Sequence, residues 1–232
     1  MRVQHAQCGP CADHGCRPSS PPASPLHAAP SLVPGLSDAV VYHLVVMRAS
    51  LFPLSALMLH GIILGAVGQA RHAGLDSIGE LSHFEQEVWS YFGMGVCLQE
   101  LYLSPDLMTN QTWDVVAAAA KWARVNNDVL QDSHWIGNDP LRSIYGFAAW
   151  SEKRHVGIIT LRNPTANKIT VSLNVQDTLE LPKDYPHRVY DFQQVYGMPT
   201  RRLVRTDEVF KVLLLPLAVL VLQGAESKNA TV

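Results

Sequence analysis

The amino-terminal residues best suited to chemistry are Cys8 and Cys11, which form a Cys-Gly-Pro-Cys motif. A thioredoxin-type redox pair has this spacing, but it needs a preceding strand and a following helix whose amino terminus stabilises the thiolate. Zinc binding is an alternative, although the further ligands lack the usual paired spacing. Those further ligands are His5, His14 and Cys16.

The sequence around this motif argues against both chemistries. Residues 1–37 hold seven of the fifteen prolines and show no apolar periodicity. Each proline removes a backbone donor and fixes φ, so neither a helix nor a strand ladder extends through this segment. We therefore predict a disordered, inert leader over residues 1–40, and we predict no metal and no cofactor for the chain.

Carboxylates are the other group with catalytic potential. Glu80, Glu85 and Glu87 lie on or just before one predicted helix, and Glu85 stands three residues after Ser82, as in a capping box. Glu100 lies in a predicted strand, with Tyr102 on the same side by alternation. The chain has no Ser/His/Asp order, phosphate-binding glycine loop or HExxH helix. We assign no catalytic residue.

Composition limits the classes of partner. The 232 residues are 47% hydrophobic and 16% charged, which is typical of a globular chain. A formal charge of −2 gives no electrostatic case for binding nucleic acid or an anionic membrane. The basic cluster of Arg201, Arg202 and Arg205 is interpreted as a solvated strand end or turn. The four cysteines define no disulfide framework, so they assign no cellular compartment to the chain.

Two short patterns bear on membranes and on modification. The apolar run over residues 51–68 is interrupted by Pro53 and His60, which favours a buried strand over a membrane span. Membrane tethering through this run is kept as an alternative. Glycosylation sequons begin at Asn110 and Asn229, and they matter only in a secreted chain.

The elements that position these groups change character near residue 138. Residues 54–64 predict a strand, residues 79–82 open a helix that runs to about Phe92, and residues 96–103 predict a second strand. A second helix is predicted from the N-cap Thr109 to Val125, where a left-handed asparagine pair closes it. Its apolar stripe is Trp113, Val116, Ala117, Ala120 and Ala123.

The remaining residues predict short strands alone. Residues 169–175 alternate strictly between apolar and polar, so one face of that strand is buried. Consecutive strands of this kind predict an antiparallel sandwich. Trp150 and Tyr145 are candidates for a sugar-stacking face, with buried structural aromatics as the alternative. The seven predicted strands cover residues 144–151, 156–162, 169–175, 178–181, 187–192, 210–215 and 218–222.

The order of these pieces resembles alpha-galactosidase-like glycoside hydrolases. The similarity covers roughly residues 51–223, and it depends on the order of several segments, since no single motif is diagnostic. The segments are 54–61 for the seventh barrel strand, 92–108 (FGMGVCLQELYLSPDLM) for the eighth, 113–124 for the final barrel helix, and 145–150 with 159–164 for the opening sandwich strands.

The resemblance implies a (β/α)₈ barrel whose two catalytic carboxylates follow the fourth and sixth strands. This chain begins at the seventh, so no residue matches either carboxylate. Barrel chemistry lies at the carboxyl ends of strands, which makes His60, Glu100 and Tyr102 the candidates for touching a sugar in an intact parent. Core packing is the alternative role for each.

We therefore predict an α+β multidomain chain. Residues 41–137 form the last two βα units of a barrel, 138–224 an antiparallel β-sandwich, and 225–232 a disordered tail. The predicted function is that of a carbohydrate-related fragment without independent catalysis. A non-enzymatic carbohydrate-binding module built on the sandwich is the alternative. Two units cannot close a barrel, so self-association through the open edge is also expected.

Overall fold

The computed structural model describes residues 42–43, 46–48, 54–56, 58–59, 62–64, 81–95, 98–137, 140 and 143–227. The predicted leader, residues 1–40 with Cys8, Cys11 and Cys16, lies outside these residues. His60 and residues 228–232 of the predicted tail also lie outside them. Single 3₁₀ turns occur at Val46–Arg48, Leu54–Ala56 and Pro105–Leu107.

Two short parallel ladders stand where two longer strands were predicted. Strand β1 (Met58–Leu59) pairs with β3 (Leu98–Gln99), and β2 (Ile63–Leu64) pairs with β4 (Tyr102–Leu103). The two registers differ by one residue, because the first segment advances four positions between the ladders while the second advances three. The two ladders are therefore separate two-stranded sheets, each two residues long.

Helix α1 (Leu81–Gly93) connects the two segments of the parallel ladders. The sequence predicts an apolar stripe of Phe84, Val88, Trp89 and Phe92. Phe84, Val88 and Phe92 are buried, and Trp89 is half-buried. The predicted capping box is wrong: Ser82 is the second residue of the helix and so cannot be its N-cap. The parallel pairing across α1 makes this region a strand–helix–strand unit.

Helix α2 (Asn110–Val125) begins where the sequence predicts, with the Thr109 hydroxyl accepting from the backbone N–H of Thr112. Its buried stripe is Thr112, Val116, Ala119 and Ala123, so the predicted stripe is wrong at Trp113 and Ala117, which are exposed. The predicted left-handed closure is also wrong. Asn126 has φ −107°, and the short helix α3 (Asn127–Leu130) follows at once.

The rest of the described chain is mainly antiparallel. The six-stranded sheet has the order β10-β9-β12-β7-β6-β5, and β8 and β11 form a separate two-stranded sheet. The strands are β5 (His134–Gly137), β6 (Tyr145–Ser151), β7 (Val156–Arg162), β8 (Ile169–Asn174), β9 (Val189–Tyr196), β10 (Arg201–Arg205), β11 (Val209–Leu214) and β12 (Val219–Glu226).

Six of the seven predicted strands are present, and three details differ. Residues 178–181 do not form a strand, because the Asn174 side chain accepts from the N–H of Asp177 and starts the short helix α4 (Val175–Thr178). Strands β5 and β10 were not predicted. Strand β12 continues through Glu226, two residues into the segment predicted as tail.

The six-stranded sheet is covered on both faces. Tyr145, Phe147 and Ile158 lie in one hydrophobic cluster with α1, α2 and α3. Ala148, Trp150, Ile159 and Leu161 lie in a second cluster with residues of β8 and β11. This double cover explains why every residue of β6 and β7 is buried, since alternate side chains enter different cores.

The fold class is therefore mixed α and β with mostly antiparallel sheets, and the described residues form no closed barrel. The predicted division between residues 137 and 138 falls between β5 and its partner β6. It stays a prediction. Among the described residues, no helix combines the length and the apolar character that crossing a bilayer requires.

Candidate functional site

The candidate site is built around Glu100, in the break between β3 and β4. The buried Tyr91 of α1 holds its backbone: the phenol oxygen accepts from the Glu100 N–H at 2.9 Å and donates to the Glu100 carbonyl at 3.3 Å. The carboxylate accepts a hydrogen bond from the Tyr102 hydroxyl. Sequence alternation placed Glu100 and Tyr102 on one side, and the structure brings them into contact.

The two tyrosines differ in environment. Tyr91 is 5% exposed, and burial raises its pKa from 10.0 to about 12. Tyr102 is 44% exposed, and the hydrogen bond to Glu100 raises its pKa. Both phenols therefore stay protonated at neutral pH and act as hydrogen-bond donors. The site presents one carboxylate and one exposed phenol, supported by a buried phenol behind the main chain.

Replacing Tyr91 with phenylalanine is expected to destabilise the protein by about 1 kcal/mol near neutral pH, through loss of these backbone hydrogen bonds. The unfolded chain ionises this tyrosine near pH 10, whereas the folded chain holds the proton to about pH 12. Its contribution is therefore complete below pH 10 and is lost as pH rises towards 12. The difference in free energy of unfolding between Tyr91→Phe and wild type, measured by urea unfolding, should be smaller at about pH 11 than at about pH 8. A difference independent of pH would contradict this.

This geometry offers hydrogen-bonding groups to a ligand. A retaining glycosidase places two carboxyl groups about 5–5.5 Å apart. In the described part of the chain, the groups in contact with the Glu100 side chain and backbone are tyrosine hydroxyls. The Glu100 carboxylate can accept from polyol hydroxyls, while the Tyr102 O–H is donated to that carboxylate. Within the described ranges no three side chains are grouped to hold a metal ion.

Trp150 does not provide a sugar-stacking surface in this structure. It is 8% exposed, its indole N–H donates to the Tyr190 hydroxyl at 3.0 Å, and Tyr185 packs edge-on against the ring. A sugar would have to displace the second core to reach it. The alternative of a buried structural aromatic therefore describes Trp150, and Tyr145 is buried as well, 2% exposed.

Sequence reasoning did not identify Tyr91 as part of this site. The available signal was a tyrosine on an otherwise apolar helix stripe, because a buried phenol needs a hydrogen-bond partner. Its partner could not be inferred, since helix geometry says nothing about which loop lies against that face. His60, the remaining candidate, lies outside the described residues.

Comparison with known proteins gives only weak likenesses. No protein-family model matches the chain, and no curated protein matches it. An alpha-galactosidase from Saccharomyces cerevisiae, solved with raffinose, is 8% identical with a TM-score of 0.46, covering 65% of this chain and 45% of its own. Alpha-galactosidase I from Mortierella vinacea is 11% identical with a TM-score of 0.43, and the match covers 63% of this chain and 37% of that protein. An Anoxybacillus alpha-amylase is 15% identical with a TM-score of 0.45, and the match covers 79% of this chain and 42% of that protein.

These structural neighbours are of the class that the sequence resembles. The chain spans less than half the length of each, from 37% to 45%. TM-scores below 0.5 at such identities carry no argument about the activity of this chain.

Proposed function

We propose that this chain is the carboxyl-terminal portion of an alpha-galactosidase-like glycoside hydrolase, and that it does not hydrolyse glycosides by itself. The observation that carries the proposal is the order of its elements. Parallel strands joined through a helix precede an antiparallel sheet that packs against the same helices. The strand–helix part corresponds to the end of a barrel, and the sheets correspond to the domain that follows it.

The packing of α1 supports treating these parts as one unit. Phe84 and Val88 share a hydrophobic cluster with Leu64 of β2 and Ile158 of β7. The Thr160 hydroxyl of β7 donates to the carbonyl of Gly93 at 3.0 Å. The end of α1 is therefore fixed to the central sheet, as expected for the last helices of a barrel that carries a tightly joined second domain.

The two-stranded parallel ladders support the view that more strands complete the barrel. Among the described residues, each strand of these ladders pairs with one other strand. A parallel sheet normally has several strands and is covered on both faces. In our proposal the remaining strands bring the two catalytic carboxylates, and self-association through this edge replaces them when they are missing.

Glu100 and Tyr102 have a binding role in this proposal. Glu100 lies between the two ladders and Tyr102 begins β4, and in the proposed barrel this is the strand whose carboxyl end borders the substrate. The carboxylate orients a substrate hydroxyl, and Tyr102 holds the carboxylate in place. Carbohydrate is the partner that this pair suits, because sugar hydroxyls donate to a carboxylate.

The purified chain is expected to show no hydrolysis of an aryl alpha-galactoside, because in this proposal the two catalytic carboxylates belong to barrel strands that precede the seventh. The measurement is release of the aryl group, with Glu100→Gln as the matched control. Wild type and control should give the same background rate. Turnover by wild type that is absent from Glu100→Gln would place an active site here and overturn the proposal.

A further inference from the structure

We propose that Asn110 is an acceptor for an N-linked glycan when the chain passes through a compartment that contains a lipid-linked oligosaccharide donor. The acceptor triplet is Asn110, Gln111 and Thr112, with no proline in the middle position. Such triplets arise by chance, so the inference depends on where the structure puts its three residues. It does not depend on the proposed function.

The asparagine is accessible. Asn110 is the first residue of α2, and both it and Gln111 are exposed. A glycan attached here would extend into solvent without entering either core. Trp113 lies three residues further along the helix and is 42% exposed. Residues three apart share a helix face, so the first sugar can cover part of this otherwise exposed indole.

The threonine is not accessible once the helix has formed. Thr112 is 1% exposed, and its hydroxyl accepts from the Thr109 N–H at 2.9 Å and donates to the Thr109 carbonyl at 2.9 Å. The third residue of an acceptor triplet must offer this hydroxyl to the transferase. The folded capping box therefore hides the recognition group while leaving the acceptor amide exposed.

The order of events follows from this difference. Transfer must precede the formation of α2, and folding then buries Thr112 and leaves the glycan outside. In the transfer, the Asn110 side-chain nitrogen forms a bond to the anomeric carbon of the donor sugar. The bond from that carbon to the lipid diphosphate breaks, the amide loses one proton, and the lipid diphosphate leaves. No oxidant or reductant is needed.

The first test uses the full chain carried behind a cleavable signal sequence in a eukaryotic secretory host. Asn229→Gln is present throughout, to remove the other triplet. Peptide mapping before and after treatment with an N-glycosidase should locate one glycan at Asn110. Asn110→Gln should abolish the mobility shift, and the matched control Asn127→Gln, an exposed asparagine outside any triplet, should retain it. A secreted chain without a glycan at Asn110 would overturn the proposal.

The second test examines the order of events. Folded chain from bacteria and a synthetic peptide of residues 106–118 are incubated with purified transferase and lipid-linked oligosaccharide. The peptide should be modified while the folded chain is not, because only the peptide exposes the Thr112 hydroxyl. Equal modification of both would show that the capping box does not hide the triplet.

Discussion

Replacing Gly146 with alanine is expected to lower the free energy of unfolding by about 3 kcal/mol, the upper end of the range for overpacking a core. A Cβ at this position would lie 1.9 Å from the Thr160 carbonyl oxygen and 2.9 Å from its carbonyl carbon. Both atoms belong to the backbone of β7, the partner of β6 in the middle of the sheet. The strands would have to separate, since no side-chain rotation relieves the contact.

Gly157→Ala is the matched control for this prediction. Its Cβ would also make close contacts, 2.5 and 3.0 Å, but with the two terminal carbons of the Leu179 side chain and not with the backbone of a neighbouring strand. We expect a clearly smaller loss, measured as the shift in urea midpoint at constant slope. Equal losses at the two glycines would show that backbone contact does not set the cost.

Replacing Asn126 with alanine is expected to lower the free energy of unfolding by about 2–4 kcal/mol, because it removes a buried side chain that makes three hydrogen bonds, two of them to other side chains. Asn126 is 2% exposed. Its amide nitrogen donates to the Trp122 carbonyl at 3.0 Å. Its oxygen accepts from Gln223 at 3.2 Å and from Arg154 at 3.3 Å. These bonds join α2 to β12 and to the turn between β6 and β7.

The adjacent Asn127 offers the control. It is exposed, and Asn127→Ala should change stability by no more than about 0.5 kcal/mol. Chemical unfolding of both variants, followed by tryptophan fluorescence, measures the comparison. The Trp122 indole donates to Gln223 at 3.0 Å, so its emission should shift in the folded Asn126→Ala protein as well. Similar stability of the two variants would refute the role given to Asn126.

Local signals allowed parts of the fold to be predicted closely. The predicted bounds of β7, residues 156–162, match the structure, because an apolar run between two polar connections has clear limits. The N-cap at Thr109 is equally local. Strand β10 was missed because its three arginines were interpreted as a solvated strand end or turn. The structure pairs Arg201 with Asp191 of β9, a partner that no local pattern specifies.

The same distinction applies to the candidate site. Glu100 and Tyr102 are two residues apart, so strand alternation was enough to place them together. Tyr91 reaches Glu100 only because α1 folds back over the break between the ladders. For Trp150 the sequence offered both a stacking face and burial, since one apolar strand looks the same whether one face or both are covered. Such contacts depend on the assembled layers, not on any one segment.

The double cover of the central sheet has a consequence for how this protein can be divided. Strands β6 and β7 contribute side chains to both hydrophobic clusters, and one of these clusters is completed by α1, α2 and α3. A gene segment encoding only the strands would express a sheet with one hydrophobic face exposed to solvent. The smallest portion suited to recombination, transplantation or crystallography is therefore the helices and the strands together, beginning ahead of residue 81.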